Sequence, residues 1–356
     1  METTGTMANN MGMPAQGAAM NTTQGGVHVA GANISQEELD RAREIIKRIT
    51  TYYYSKMVGQ ERLGMSLLAT MLCNGHILLE SVPGLAKTTA AKTMTEAVNG
   101  AFSRIQCTPD LLPSDIIGTQ ILNYKTNEFE TKLGPVNANF VLLDEINRSS
   151  AKTQSAMLEV MQEQQVTIGG VVYQMPQVYM VIATQNPIEQ EGTYLLAEAQ
   201  LDRFLLKEKM TYPKPEQELE ILNRLEKDVF RSSQAVASID EVVFLQSLTT
   251  RVYIDDAVKK YIIEIVNATR NPGKYINPKY AEYITLGAST RGAIALMDAA
   301  KAIALMRGKN YVTPEDVKVL AHSVLRHRIT LNYAAVADGV TEEEIIDAIV
   351  GAVQTP

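Results

Sequence analysis

Cysteine is scarce in this 356-residue chain, with only Cys73 and Cys107, far apart in sequence. That excludes a disulfide framework and the paired spacings that hold zinc, and it fits a reducing compartment. Basic residues are missing from the start, the first being Arg41. The N-terminus therefore lacks the marks of an export signal and of an Arg-rich transit peptide, and the expected location is the cytoplasm. Long apolar runs are missing too. The most apolar longer segment, from Leu63 to Leu79, is broken by Gly64, Ser66, Asn74, Gly75 and His76, short of the roughly 20 apolar residues a spanning helix needs. No membrane span is expected. Nor is there an excess of positive charge: the formal net charge is -7 and the pI is near 5.3, which argues against a broad nucleic-acid footprint and points towards protein partners.

What is present is apolar mass, 46% hydrophobic residues against 21% charged, enough for two ordinary cores and hence two domains. Residues 1–32 are rich in Met, Gly, Asn, Thr and Ala, carry a single charge at Glu2 and show no apolar period. They read as a disordered tail. Order begins at Ser35, which with Glu38 forms a Ser-x-x-Glu capping box, and Leu39, Ala42, Ile45, Ile46 and Ile49 then share one helical face. A second helix is expected from about Gln60 to Leu72, followed by a short buried strand, HILLE, at 76–80.

Directly after that strand stands SVPGLAKTT and then a helical stretch, AAKTMTEAV. Strand, tight loop and helix is the order a phosphate-binding loop requires, because loop and helix N-terminal amides converge on the anion. The strict pattern, Gly, four residues, Gly-Lys-Ser/Thr, is broken at Ser81 and Ala86, while Gly84 is kept. Support comes from FVLLDE at 140–145, an apolar run ending in Asp144 and Glu145, 57 positions beyond Lys87. A buried parallel strand would deliver those carboxylates at its C-terminal edge, where Asp144 could hold magnesium and Glu145 could orient and deprotonate water. Further strands are expected at 102–106 (FSRIQ) and 178–184 (VYMVIAT). The latter would put Asn186 at the same edge, although Asn before Pro187 is also a common turn.

The combination SVPGLAKT, LLDEINR, KTQSAMLEVMQE, ATQNPIEQEGTY, EAQLDRF and TPEDVKVLAHSVLRHRI resembles the MoxR family of AAA+ ATPases, over about residues 33 to 356. The resemblance implies an α/β fold: a P-loop AAA+ core with a five-stranded parallel sheet over 33–211, then a linker and a small all-helical lid over 212–356 that covers the nucleotide. It implies that Ser81, Val82, Pro83, Gly84, Leu85, Ala86, Lys87, Thr88 and Thr89 cradle ATP, with Val58 of the VGQE box packing on adenine beside Gly59. Lys87 would contact the β and γ phosphates, Thr88 and Asp144 would coordinate Mg2+, Glu145 would activate water, and Asn186 would be the sensor-1 residue. Arg203 matches the position of a finger inserted into a neighbouring subunit's site; a plain pairing with Glu198 is the alternative. Arg291, in STRG, matches sensor 2, serving its own or a neighbour's nucleotide, while Arg148 resembles an inter-subunit Arg. Ser81, in place of the usual Gly, bears on loop tightness.

Residues 108–136 resemble the family's helix-2 insert. QVTI-GG-VVYQ at 165–174 reads as a hairpin turning at Gly169 and Gly170. From about Tyr212 the chain reads as helical, with Val258, Tyr261, Ile262, Ile265 and Val266 at helical spacing and a helix start at Thr313-Pro314. The resemblance implies a homo-oligomeric, hexameric ring that remodels or activates a protein client together with a von Willebrand factor A domain protein. Two other readings are a nucleotide-gated scaffold that scarcely hydrolyses, for which Ser81 gives the footing, and a nucleic-acid motor, which the acidic charge balance disfavours.

Overall fold

Strands covered on both faces have no polar side to offer, so the continuous apolar runs of the sequence belong in the middle of a parallel sheet. A computed structural model describes residues 33–187, 193–226 and 234–356. The expected disordered tail lies outside the described residues, as does part of ATQNPIEQEGTY. In chain order, α1 (Gln36–Lys56), α2 (Glu61–Leu72), β1 (Ile77–Glu80), α3 (Lys87–Ala97) and β2 (Phe102–Gln106) are followed by α4 (Pro113–Ile117) and a hairpin of β3 (Gly118–Asn123) and β4 (Glu128–Leu133). Then come β5 (Phe140–Asp144), α5 (Ala151–Glu163), the hairpin β6 (Gln165–Ile168) and β7 (Val171–Gln174), β8 (Met180–Gln185), α6 (Glu198–Leu201) and β9 (Leu206–Lys209).

The main sheet has the order β2-β5-β8-β1-β9, with every neighbour parallel. Alternate residues of β5 enter different cores: Phe140 and Leu142 join the cluster under α1, α2 and α3, whereas Val141 and Leu143 join a second cluster with Met157 and Leu158 of α5. That two-sided burial explains the unbroken apolar run. Edge strand β9, LKEK, alternates buried and more exposed positions instead. Register brings the strand ends together, with Glu80 beside Gln185 and Lys209, and Gln106 beside Asp144. This shared C-terminal edge is where open α/β sheets hold ligands.

The expected capping box forms at α1, where Ser35 Oγ accepts from Glu38 N and Glu38 Oε2 from Ser35 N. The Gly169-Gly170 turn also forms, both residues having positive φ (59° and 82°), as a two-residue hairpin connection demands. The 108–136 insert is the short α4 plus the β3–β4 hairpin, and it meets the second hairpin through Tyr173 Oη, 3.0 Å from Thr131 Oγ1.

After β9 come α7 (Pro215–Glu226), α8 (Ile239–Arg251), α9 (Asp256–Arg270), α10 (Pro278–Tyr283), β10 (Ile284–Leu286), α11 (Thr290–Met306), α12 (Pro314–Val319), α13 (Ala321–Leu325), β11 (Thr330–Leu331), α14 (Tyr333–Ala337) and α15 (Glu342–Ala352). Leu245, Ile265 and Leu305 of this bundle continue the same apolar cluster as Leu67 and Leu68 of α2. Part of the region expected to cover the phosphate loop reaches it. Among the described residues, α7 and the turn before it are the only segment beyond β9 lining the cavity there, because the apolar faces of α8 and α11 are committed to α1 and α2. Both cysteines are free, and burial pushes the Cys107 thiol up to about 12.

Candidate functional site

Position 81 shows why the loop tolerates its departures from pattern. Only Gly84 (φ 87°) and Ala86 (φ 57°) adopt left-handed backbone within Ser81–Thr88, so serine at 81 meets no conformational penalty. Ser81 N donates to Gln185 O (3.1 Å), which ties the loop to β8, and its hydroxyl turns to Val82 O (3.1 Å). A Cβ on Gly84 would meet no atom within 4 Å, so glycine is needed there for its φ rather than for space. Ala86 is the N-cap of α3 and supplies no side-chain cap. The first-turn amides of α3, at Lys87, Thr88 and Thr89, are thus left for an anion.

The carboxylates arrive as the sequence predicts, but with partners it did not reveal. Asp144 is buried at the end of β5, where Thr184 Oγ1 donates to its Oδ1 (2.9 Å) and Arg104 of β2 reaches its Oδ2 (2.6 Å). Glu145 takes up left-handed backbone (φ 58°, ψ 54°), and its N–H is fixed by Thr184 Oγ1 at 2.8 Å. A non-glycine residue held there carries strain of the kind found at functional sites. Gln106 Nε2 donates to Glu145 Oε2 (3.2 Å), and Arg148 Nε lies 3.3 Å from the same oxygen. Asn186, buried, follows Gln185 between the loop and the acids. The signal for Arg104 and Gln106 was in FSRIQ: long polar residues two apart on a strand share a face. Their target needed the register.

Val58, Gly84, Ala86 and Thr89 line one side of a cavity of about 760 Å3, with Tyr212, Ile221 and Leu222 on the other. Gly59 has φ 71°, and a Cβ there would sit 2.7 Å from the Gln217 side chain of α7. Glycine thus lets α7 close on this end of the cavity. Arg203 and Arg291 are not in it. They line a separate cavity of about 300 Å3 beside Gly75 and His76, just ahead of β1, at the N-terminal edge of the sheet. Arg203 is not paired with Glu198; its Nη1 donates to Leu158 O of α5 (2.7 Å), while Glu198 accepts from Thr330 (2.9 Å). Arg291 stands in the first turn of α11, capped by Ser289.

Among the described residues no cluster of His, Cys, Asp and Glu could hold a metal by itself. The oxygen donors Thr88 and Asp144 nevertheless suit a hard cation that also takes phosphate oxygens.

A loop at a strand–helix junction, paired acids two strands away and a polar side chain on the strand between define a P-loop nucleotide-binding protein. Residues 76–206 match the ATPase family associated with various cellular activities (AAA), and 280–349 match the AAA lid domain. Chaperone MoxR1 of Mycobacterium tuberculosis is 45% identical over 318 residues, 89% of this chain and 82% of that protein. The uncharacterised protein YeaC of Bacillus subtilis is 44% identical over 89% of this chain and 95% of its own length. A crystal structure of a protein from Cytophaga hutchinsonii superposes with a TM-score of 0.85 at 46% identity, covering 90% of this chain and 98% of that one. The chain belongs to the MoxR family of AAA+ ATPases. Among the described residues no helix is long and apolar enough to cross a membrane.

Proposed function

We propose that this protein hydrolyses ATP in a homo-oligomeric, hexameric ring and uses the cycle to remodel or activate a partner protein complex. The observation that carries the ring is the separation of the charges: the loop and acids lie at the C-terminal edge of the sheet, Arg203 and Arg291 at the N-terminal edge. Both arginines lie away from their own chain's loop, which supports a second copy completing each site.

In this reading the α3 amides, Lys87 and the loop hold the phosphates, while Val58 and the apolar face of α7 hold the base. Thr88 and Asp144, the latter paired with Arg104 in this structure, would hold Mg2+, which would neutralise phosphate charge. Glu145 orients and deprotonates the attacking water, with Gln106 and Asn186 beside it. Arg203, with Arg291, offsets charge on the transferring phosphoryl group of the neighbour. Such fingers are worth on the order of 10³–10⁵ in rate.

Arg203→Ala and Lys87→Ala subunits, each inactive alone, are expected to regain ATPase activity when mixed, since one supplies an intact loop and the other an intact finger. Mixed rings verified by tag pull-down that stay inactive would exclude a finger acting between subunits. The client is proposed by kinship: Chaperone MoxR1 carries its role in its name, and the family resemblance adds a von Willebrand factor A domain partner. Glu145→Gln, which binds ATP without turnover, should trap such a partner on the ring, and its absence from the trapped complex would remove that part.

A further inference from the structure

Resting on the reading that Arg203 and Arg291 act on a neighbour's nucleotide, we propose that Asp202 and Arg328 are positioning residues that hold both arginines in one frame. The two cations come from segments almost ninety positions apart, one on the loop between α6 and β9, the other in the first turn of α11. Asp202, immediately before Arg203, joins them. Its Oδ2 accepts from Ser289 Oγ (2.8 Å), and Ser289 Oγ in turn accepts from Arg291 N (3.0 Å). Its Oδ1 accepts from Arg328 Nε (2.7 Å).

Arg328 is a buried guanidinium with its side chain only 3% exposed, and it spends its remaining N–H groups on the same loop and on α13, the helix just before it. Nη2 donates to Asp202 O (3.3 Å) and Phe204 O (2.7 Å), and Nη1 donates to Leu205 O (3.1 Å) and Val324 O (2.5 Å). All five donors of the fork are used, which a lysine could not reproduce. Burial lowers the proton affinity of Arg328, and the Asp202 charge opposes that fall. Gly292 completes the seat. A Cβ there would lie 3.1 Å from Ala288 Cβ and 3.3 Å from Arg328 Cδ, so the residue after Arg291 lets the first turn of α11 rest against the clamp.

Asp202→Asn keeps the shape but removes the charge that joins the two segments. The expected result is a loss in kcat on the order of 10²-fold, the scale of a misplacement of about 1 Å, with affinity for a fluorescent ATP analogue at the subunit's own loop unchanged. The mutant should also recover activity when mixed with Lys87→Ala subunits, whose fingers are intact. Arg203→Ala in the same assay separates the failures. If Arg203→Ala loses turnover and Asp202→Asn keeps it, the clamp is wrong; if Arg203→Ala itself keeps full turnover, the inter-subunit reading is wrong. Should Asp202→Asn not fold, Ser289→Ala, at the exposed end of the bridge, carries the test. It should lower kcat in wild type and have no further effect in an Arg291→Ala background. An unchanged kcat, or additive losses, would overturn the proposal.

Discussion

Histidine 76 stands at the N-terminal end of β1 with both ring nitrogens engaged. Val181 N donates to Nδ1 (3.0 Å), and Nε2 donates to Met161 O (3.0 Å). Only the neutral ring with its proton on Nε2 satisfies both partners. Burial accordingly lowers its pKa from 6.5 to about 4. The sign follows directly. Between pH 6.5 and 4 the unfolded chain binds a proton that the folded chain refuses, so the contribution is complete above pH 6.5 and is lost as pH falls towards 4. The ceiling is about 3 kcal/mol, and buried His327, whose pKa is also lowered, acts in the same direction. His76→Gln, which keeps a donor for Met161, should flatten the drop in urea midpoint between pH 7.5 and 5. Equal drops in mutant and wild type would show that the acid sensitivity lies elsewhere.

Elements dock through polar contacts as well as apolar ones, and β9 is the clearest case. Glu208, 4% exposed at its side chain, accepts from Ser66 Oγ of α2 (2.6 Å), from the Ser323 hydroxyl of α13, and from Arg326 Nη1 (3.1 Å), itself 6% exposed. Arg62 Nε, 3.4 Å from Glu208, and Glu343, 3.1 Å from Arg326, are the second partners of the pair, so removing one member costs about 3 kcal/mol, the low end for breaking a buried pair. Arg326→Met should therefore lower the unfolding free energy by that amount, and adding Glu208→Gln should restore part of it. A double mutant no more stable than Arg326→Met would show that the lost packing and the bond to Lys207 O outweigh the charge. None of this pairing was legible in the sequence. Period and caps sufficed for β1, β5, β8, the Gly169-Gly170 hairpin and the helix starts at Ser35 and Thr313, because those depend on neighbours within a few positions. Asp144 and Glu145 were legible for the same reason, standing at the end of an apolar run. Arg104, Gln106, Thr184, Asp202 and Arg328 meet their partners only through strand register or across more than a hundred residues. The doubt over Ser81 was likewise a question about φ, which a pattern of residue types does not record.

At the scale of the molecule, the two ends of the sheet carry what the proposed ring makes two halves of one reaction, and α5 spans between them. It begins just after Glu145 and Arg148 and ends in carbonyls that hold Arg203, through Leu158, and His76, through Met161. The acid that would activate water at one nucleotide therefore lies just ahead of this 13-residue helix, and the finger offered to the next is held by a carbonyl in its C-terminal half. Everything that would bind the base and phosphates, from Val58 to Thr89 and Asp144, belongs to a single chain, so nucleotide affinity should survive dilution. Turnover should not if, as proposed, the finger comes from another copy. ATPase rate per subunit, measured from nanomolar to micromolar protein beside mass photometry, is expected to follow the assembled fraction. Dispersed subunits should fall by on the order of 10³ or more, the worth of the missing cation, and Arg203→Ala should hold even fully assembled rings near that dispersed rate. Monomers hydrolysing at the assembled rate would instead place the whole reaction within one chain and leave Arg203 and Arg291 as surface charge.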